Sequence, residues 1–243
     1  MHLIKVDAIN STNSFARELF KEDPGLKTTC IVAERQLKGR GQRGTTWNSN
    51  PGENLTFSVF IPKPKIAPDR QFLISALVAT TLAGILEKWR VPRVKVKWPN
   101  DIMAESKKLG GILIENIIGD GKISGTVIGI GLNVNQMEFG ELEAAGSMKS
   151  LTGNDFDKEL LLNEVLSDLE EAFSDLGPDR EQDILKNYRK KLFRVDIPST
   201  FRLPDGKLLL GIIENVSPSG KLMVRTEDEA IKKFDLKEIK LLF

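Results

Sequence analysis

A segment of six residues in the first third of the chain contains three glycines, whose backbone is conformationally free, and two cationic arginines. The segment Gly39-Arg40-Gly41-Gln42-Arg43-Gly44 leads through Thr45-Thr46 to Trp47. Glycine permits positive φ angles and leaves backbone N–H groups free to converge on an anion. Arginine adds a planar set of donors that suits a phosphate or a carboxylate. These residues predict an anion-binding loop in which Trp47 covers a flat ring such as adenine; a solvated basic hairpin is the alternative for the loop alone.

A second polar segment follows further along the chain. It runs through Lys97-Trp98-Pro99-Asn100-Asp101 and resumes at Lys107-Lys108-Leu109-Gly110-Gly111-Ile112. Glycines on a strand let a ligand approach the backbone closely, and this motif makes Lys108 the first candidate for an essential cation, with an ordinary surface lysine as the alternative. Neighbouring side chains on a strand point to opposite faces, and Lys107 is therefore expected to be dispensable. Trp98 is expected in the core, and a plain turn is the alternative role for Pro99-Asn100-Asp101.

Two further motifs bring the number of motifs to four. They are Ser11-Thr12-Asn13 and Gly129-Ile130-Gly131-Leu132-Asn133-Val134-Asn135. With these four motifs the chain resembles the biotin protein ligases, from about residue 4 to residue 243. The resemblance implies an α+β fold, a mixed β-sheet flanked by helices as in class II synthetases, followed by a small C-terminal SH3-like β barrel. It also implies a two-step reaction with Mg²⁺. Biotin and ATP give biotinyl-5′-adenylate and pyrophosphate, and the biotinyl group then passes to a lysine of a biotin carboxyl carrier protein.

The resemblance also implies a set of site residues. Contacts to biotin are expected from Ser11, Thr12, Asn13, Gln36, Arg40, Gly41, Gln42 and Lys108. Contacts to ATP are expected from Arg40, Arg43, Trp47, Asn100, Lys108 and Asn133. Catalysis is expected from Lys108, Arg40 and Asp101, and Asp101 is either a Mg²⁺ ligand or a group that orients the incoming lysine amine. Ser11-Thr12-Asn13 could also cap a helix, and the strand that carries Asn133 could also be a dimer edge.

Neither step of this reaction requires a nucleophile from the enzyme. What it requires is the approach of two anions, neutralisation of their charge, and exclusion of water. Gln42 departs from the resemblance, because many relatives have arginine there, which leaves open how well the adenylate is retained. The glycine loop is expected to be disordered without ligand and to order over biotin and ATP.

Composition narrows the class of protein. A net charge of +1 argues against a nucleic-acid partner, and one cysteine and one histidine argue against a disulfide or a structural zinc site. The longest apolar stretch, Phe72 to Leu86, contains polar residues and is shorter than the roughly 18 residues of a membrane span. Residues 1–6 show no signal-peptide pattern. A cytoplasmic protein without a membrane partner is expected.

Hydrophobic periodicity predicts the elements that must position these residues. Strands are predicted at residues 2–8, 28–34, 54–61, 94–98, 102–104, 108–118 and 123–135. Helices are predicted after residues 11–13 and at residues 68–89, 157–176 and 179–191. We expect a catalytic domain at residues 1–192 and the small barrel at residues 193–243. Many relatives begin with a helix-turn-helix, whereas this chain starts at the catalytic segment, so a repressor function is not expected.

Two other readings compete with the biotin ligase. The first is a lipoate-protein ligase or a related acyltransferase, of which an octanoyl-transferase would need a cysteine nucleophile. Cys30 lies in an apolar strand and is expected to be packed rather than reactive. The second is a non-catalytic module that binds nucleic acid through the barrel, which the interleaved acidic and basic residues of the tail disfavour. The sequence is compatible with a monomer or with a homodimer formed through the sheet edge.

Overall fold

The computed structural model describes the whole chain apart from the side chains of Arg43 and Pro178, and it contains one large and one small β-sheet. The large sheet has seven strands in the order β1-β2-β3-β7-β6-β5-β4. Its strands are β1 His2–Ile9, β2 Thr29–Gln36, β3 Leu55–Pro62, β4 Val94–Lys97, β5 Asp101–Ala104, β6 Lys107–Gly119 and β7 Lys122–Leu132. The helices are α1 Thr12–Glu22, α2 Phe72–Lys88, α3 Met148–Thr152, α4 Lys158–Ser174 and α5 Glu181–Lys191. Because β1 and β2 are parallel and the other pairs of this sheet are antiparallel, the predicted mixed sheet is confirmed.

Helices cover both faces of the large sheet. On one face α2 is buried along most of its length and packs against α4, α5 and the sheet. On the other face α1 covers a smaller cluster around Ala16, Ile31 and Phe60. Since successive side chains of a strand alternate between faces, β7 divides its residues between the two cores. The part of the second face that α1 leaves uncovered holds the cavity described below.

The small sheet follows α5 and is antiparallel, in the order β11-β10-β9-β8-β12. Its strands are β8 Pro198–Arg202, β9 Leu208–Val216, β10 Leu222–Thr226, β11 Ile231–Phe234 and β12 Lys240–Leu242. This arrangement agrees with the predicted small barrel. The small sheet contacts the large one through Trp98, whose indole Nε1 donates to the Gly220 carbonyl at 2.9 Å. Trp98 is accordingly half-buried at the boundary between the two sheets, although it was expected in the core.

Two local details differ from the predicted elements. Strand β7 ends at Leu132 instead of continuing to Asn135, because the Val134 backbone N–H bonds to the side-chain oxygen of Asn54 at 3.0 Å. The short helix α3 was not predicted, since only five residues form it. Its start is fixed by Ser147 and Ser150, which exchange side-chain and backbone hydrogen bonds in a capping box. Among the described residues no helix is long and apolar enough to span a membrane.

Candidate active site

A cavity of about 250 Å³ opens on the sheet face beside the start of α1. The residues predicted to contact biotin or ATP that line it are Ser11, Thr12, Asn13, Gln36, Arg40, Gly41, Gln42, Trp47, Asn100, Asp101 and Lys108. The structure therefore brings together predicted site residues that are up to about 100 positions apart in the sequence, from Ser11 to Lys108. The side chain of Arg43 lies outside the described part of the chain.

Strand register explains why a cavity forms at this place. One row across the sheet joins Thr56, Gly131, Gly111 and Asp101, and the next row joins Ser58, Gly129 and Leu113. All of these positions face the same side of the sheet because they are directly paired. The glycines carry no side chain, so the middle of both rows is a shallow floor that larger residues would fill.

Two of these glycines seat side chains of the site. A Cβ built on Gly129 would lie 2.2 Å from Oδ1 of Asn13, and one built on Gly131 would lie 2.3 Å from Cε2 of Trp47. Both distances are too short for a real Cβ, so only glycine lets Asn13 and Trp47 rest on the strand. The repeated glycines of the Gly129-Ile130-Gly131 motif thus have a direct steric purpose.

The first turn of α1 forms a buried polar end of the cavity. Ser11 is the N-cap, and its hydroxyl oxygen accepts from the Ser14 backbone N–H at 3.4 Å, so the helix-cap alternative is realised. Thr12 donates to Oε1 of Gln36 twice, from its backbone N–H at 2.8 Å and from its hydroxyl at 3.1 Å. Thr12 is 2% exposed and Asn13 is 3% exposed, which fixes both side chains.

Ser58 is a residue of this end that the sequence analysis missed. It is 0% exposed, and its hydroxyl oxygen lies 2.7 Å from the Thr12 hydroxyl and 2.6 Å from Oδ1 of Asn13. Ser58 has one hydroxyl proton, so it cannot donate to both partners at once. If Ser58 donates to Thr12, Oδ1 of Asn13 receives no proton from Ser58. If Ser58 donates to Asn13, Thr12 can bond to Ser58 only with its own proton, and Gln36 loses that proton. In either case an oxygen of Asn13 or Gln36 keeps capacity to accept from a polar ligand. The signal in the sequence was a pair of polar residues, Thr56 and Ser58, two positions apart in an otherwise apolar strand, Leu55–Pro62.

The glycine loop closes the cavity from above. Two backbone hydrogen bonds keep this loop compact. The Gly41 N–H donates to the Thr45 carbonyl at 2.7 Å, and the Trp47 N–H donates to the Gly39 carbonyl at 3.0 Å. The indole of Trp47 lies on Gly131, and its Nε1 is buried without a hydrogen-bond partner among the described residues. The side chain of Arg40 is 45% exposed, and its Nη2 donates to Glu115 at 2.9 Å.

Lys108 and Asp101 form the charged end of the cavity. The Nζ atom of Lys108 lies 2.6 Å from Oδ1 of Asp101, and Nζ of Lys97 lies 3.5 Å from the other oxygen of the same carboxylate. Lys107 reaches away from this pair and donates to the Glu143 carbonyl. Asn100 is held beside them because its Nδ2 donates to the Ile112 carbonyl at 2.8 Å. Neighbouring lysines therefore face different surroundings, as strand alternation predicts.

Asn133 is the predicted site residue that the structure does not bring to the cavity. It lies one residue beyond β7 and is 5% exposed. Its Nδ2 donates to the Gly146 carbonyl at 2.9 Å, and its backbone N–H donates to the Leu109 carbonyl at 2.7 Å. These bonds tie the segment after β7 to the segment before α3, so the arrangement assigns Asn133 a structural role and does not support the predicted contact with adenine.

In the described part of the chain, the carboxylates near the cavity do not form a cluster that could hold a metal ion by itself. No group of three or more His, Cys, Asp or Glu side chains in that part of the chain could hold a metal ion. Asp101, the predicted Mg²⁺ ligand, is already paired with two ammonium groups. Mg²⁺ usually binds one or two carboxylates together with substrate phosphates, and a carboxylate held between two lysines is poorly suited to that role.

Cys30 takes no part in the cavity. Its thiol is 0% exposed within the sheet, and burial raises its pKa to about 12. A thiol in this setting stays protonated at neutral pH and is a poor nucleophile. The expectation that Cys30 is packed is therefore confirmed.

Taken together, these groups can hold two anions next to a polar pocket. Arg40 and Lys108 both line the cavity and supply positive charge, and the glycine floor lets a flat ligand lie against the backbone. Ser11, Thr12, Asn13 and Gln36 supply donors and acceptors at the buried end. Nothing in this set resembles an acid–base–nucleophile arrangement.

Residues 6–133 match the model of the biotin/lipoate A/B protein ligase family. The matched span is more than half of the 243 residues, and the cavity-lining residues named above lie within it. It begins in β1 and ends one residue after β7.

Individual proteins are also similar to this chain. The bifunctional ligase/repressor BirA of Bacillus spizizenii is 30% identical over 178 residues, which are 72% of this chain and 54% of that protein. BirA of Escherichia coli strain K12 is 29% identical over 236 residues, 96% of this chain and 72% of that protein. The chain thus spans about half the length of the first of these curated relatives.

Solved structures extend the similarity over the whole fold. The biotin protein ligase from Aquifex aeolicus in complex with biotin and ATP has a TM-score of 0.81 and 26% sequence identity. The match covers 99% of this chain and 98% of that one, so it includes the small sheet as well as the large one.

Proposed function

This chain belongs to the biotin/lipoate A/B protein ligase family, and we propose that it is an ATP-dependent biotin protein ligase. It would activate biotin as biotinyl-5′-adenylate and transfer the biotinyl group to a lysine of a biotin carboxyl carrier protein. The similar proteins named ligases, and the similar structure with biotin and ATP bound, support this proposal. The proposed place of action is the cytoplasm, and no nucleic acid is proposed as a partner.

The buried polar end of the cavity is the observation that carries the choice of biotin. The ureido ring of biotin has two N–H donors and one carbonyl acceptor, whereas the dithiolane ring of lipoate has no comparable groups. Oδ1 of Asn13 can accept from a ureido N–H, and the hydroxyl proton of Ser11 can be donated to the ureido carbonyl. A dithiolane would leave these buried groups without partners, and sites built to hydrogen-bond a ligand reject such analogues strongly.

In the first step, an oxygen of the biotin carboxylate attacks the α-phosphorus of ATP. A bond forms between that oxygen and phosphorus, and the bond to the β-phosphate oxygen breaks to release pyrophosphate. Lys108 and Arg40 would neutralise the two anions and stabilise the charge that accumulates at the α-phosphate. The Asp101 carboxylate would hold the Lys108 ammonium in the cavity, since the two atoms lie 2.6 Å apart.

In the second step, the acceptor lysine amine attacks the carbonyl carbon of the adenylate. A carbon–nitrogen bond forms, the bond to the AMP oxygen breaks, and the proton lost by the amine passes to solvent. Asp101 lines the cavity, and its carboxylate would orient this amine by accepting a hydrogen bond from the amine N–H. The glycine loop with Trp47 would keep water from the anhydride while the acceptor approaches.

Magnesium would enter with ATP as part of the substrate. It would neutralise the phosphate charge that the chain itself does not meet. Gln42 lines the cavity where many relatives have arginine, and we propose that its neutral amide holds the adenylate less tightly.

The proposal is tested by incubating the chain with biotin, Mg²⁺-ATP and a biotin carboxyl carrier domain, followed by mass measurement of the carrier. We expect the carrier to gain one biotinyl group on a single lysine. Lys108→Ala should reduce the initial rate at least about 100-fold, because a cation that stabilises the transition state is lost.

Lys107→Ala is the matched control, since Lys107 is the same residue type one position earlier and contacts the Glu143 carbonyl instead of the cavity. Its rate should stay within about twofold of the unchanged chain, as for surface substitutions. Absence of the added mass with the unchanged chain would refute the proposed function. Full activity of the Lys108 variant would refute the assigned role of that lysine.

A further inference from the structure

Glu115 bonds to two residues that line the cavity, Asn13 and Arg40. It lies on β6 and is paired across the sheet with Val127, one row beyond the Ser58–Gly129–Leu113 row. Its side chain is 20% exposed, so it is largely removed from water. A carboxylate in such a place needs partners, and Glu115 has three of them.

The first partner is the amide of Asn13. Nδ2 of Asn13 donates to Oε2 of Glu115 at 2.7 Å and to the Leu113 carbonyl at 3.3 Å, which uses both amide protons. A carboxylate only accepts, so it fixes Nδ2 toward itself and turns Oδ1 toward Ser58. As a result, Asn13 directs its acceptor Oδ1, and not its donor Nδ2, toward the buried polar end.

The second partner is Arg40 of the glycine loop. Its Nη2 donates to the same oxygen of Glu115 at 2.9 Å. A guanidinium has five N–H donors in one plane, so one anchored donor fixes the plane and leaves other donors for a ligand. Arg17 lies 4.0 Å from the other oxygen and adds a second positive charge. The cluster therefore stays cationic although it contains a carboxylate.

We propose that Glu115 is a positioning residue that bonds to both the buried polar end of the cavity and the glycine loop. It sets the orientation of the Asn13 amide and the plane of the Arg40 guanidinium. This inference rests on the proposed function for its kinetic consequences. The contact geometry itself does not depend on the identity of the ligand. One carboxylate oxygen shared by residues from two separate segments is the feature that distinguishes it from an ordinary surface ion pair.

Glu115→Gln tests the charge with little change of shape. The neutral amide holds Arg40 and Asn13 less firmly, because hydrogen bonds to a charged acceptor are about twice as strong as neutral ones. We expect kcat/KM for biotin in ATP–pyrophosphate exchange to fall about 10-fold, a loss of about 1.4 kcal/mol. Glu105→Gln is the matched control, because Glu105 is an exposed glutamate that also pairs with an arginine, Arg93 at 3.2 Å. It should change the same ratio by less than about twofold.

A charge exchange separates positioning from general damage to the fold. Asn13→Asp alone places two carboxylates side by side and should lower kcat/KM at least about 100-fold. Combining it with Glu115→Gln restores one carboxylate and one amide in the pair, and should recover at least about 10-fold of that loss. A residue with a merely structural role would show two independent losses and no recovery.

Cleavage by trypsin after Arg40 gives a readout that needs no enzymatic activity. Without ligand, Glu115→Gln should speed cleavage at this bond several-fold relative to Glu105→Gln, because Arg40 is released from its partner. Equal cleavage rates, or a Glu115→Gln enzyme as active as the Glu105→Gln enzyme, would overturn the inference. If the unchanged chain shows no biotin-dependent exchange, the proposed function fails, and the cleavage rates alone then decide the role of Glu115.

Discussion

Two parts of the cavity, the buried polar end and the end covered by the glycine loop, are built in different ways. At the polar end, Thr12, Asn13 and Ser58 are all 3% exposed or less and bond to one another within the fold. At the loop end, Arg40 has a side chain that is 45% exposed and depends on one carboxylate and a few backbone bonds for its position.

This difference suggests a division of labour between recognition and capture. Buried groups that hold one another in place are pre-organised, and their remaining hydrogen-bonding capacity lets them reject a ligand that lacks matching polar atoms. A short glycine loop held by few contacts can open for substrates and close over them. The proposed ligase would therefore select biotin at the buried polar end, which is the rigid end. It would retain the adenylate under the glycine loop, which is the adaptable end.

The largest expected effect comes from filling the glycine seat at the rigid end. In Gly129→Ala, the new methyl group would occupy the place of the Asn13 amide, which is held by several hydrogen bonds and cannot move without losing them. We expect KM for biotin to rise about 100-fold, equivalent to the loss of two charge-assisted or buried bonds. Biotin titration of the exchange reaction measures this value, and an unchanged KM would mean that Asn13 does not read the ligand.

Gly131→Ala makes the same chemical change at the adaptable end. Its methyl group would meet the indole of Trp47, but that ring belongs to the loop and can shift with it. We expect KM for ATP to rise about 5-fold, the size of one lost aromatic contact, and KM for biotin to stay within about twofold. Equal effects of the two substitutions on both substrates would remove the distinction between the two ends.

Removing the buried hydroxyl of Ser58 should have a smaller effect, which is divided between stability and biotin binding. Ser58→Ala deletes the group that bonds to Asn13 and Thr12 in the core. We expect the free energy of unfolding to fall by about 1–2 kcal/mol and KM for biotin to rise several-fold. Denaturant unfolding and biotin titration check the two parts separately. A loss of stability without any change in KM would limit Ser58 to a structural role.

The smallest effect is expected at Cys30, on the packed face of the sheet. Its thiol should not react with an aromatic disulfide reagent at pH 8 until denaturant is added. Because burial raises the pKa from 9.0 to about 12, the folded state binds its proton more tightly than the unfolded state, and the free energy of unfolding should fall as pH rises across that interval. Cys30→Val should flatten this slope. Rapid labelling in the folded state would reopen the acyltransferase alternative.

Much of the fold and site was predictable because local patterns suffice for it. Strand alternation predicted that Lys107 and Lys108 have different surroundings, and the glycine-rich motifs pointed to the cavity floor. The order of the motifs indicated the family. The mixed sheet and the small C-terminal sheet, which the family resemblance implied, are confirmed.

The parts that were not predicted depend on contacts between distant segments. Ser58 and Glu115 join the site only because strand register places them beside residues that are far away in sequence. Asn133 was assigned to the ligand from its motif, but a carbonyl near α3 binds its amide instead. Pairing partners of this kind cannot be read from local periodicity.

The most direct test of the account compares biotin and lipoate in ATP–pyrophosphate exchange, with Mg²⁺-ATP and the unchanged chain. The polar end should support exchange with biotin and reject lipoate by at least about 10⁴-fold in kcat/KM, as expected when buried polar groups lose their partners. Exchange with lipoate alone, or equal exchange with both acids, would contradict the claim that these buried groups select the ligand.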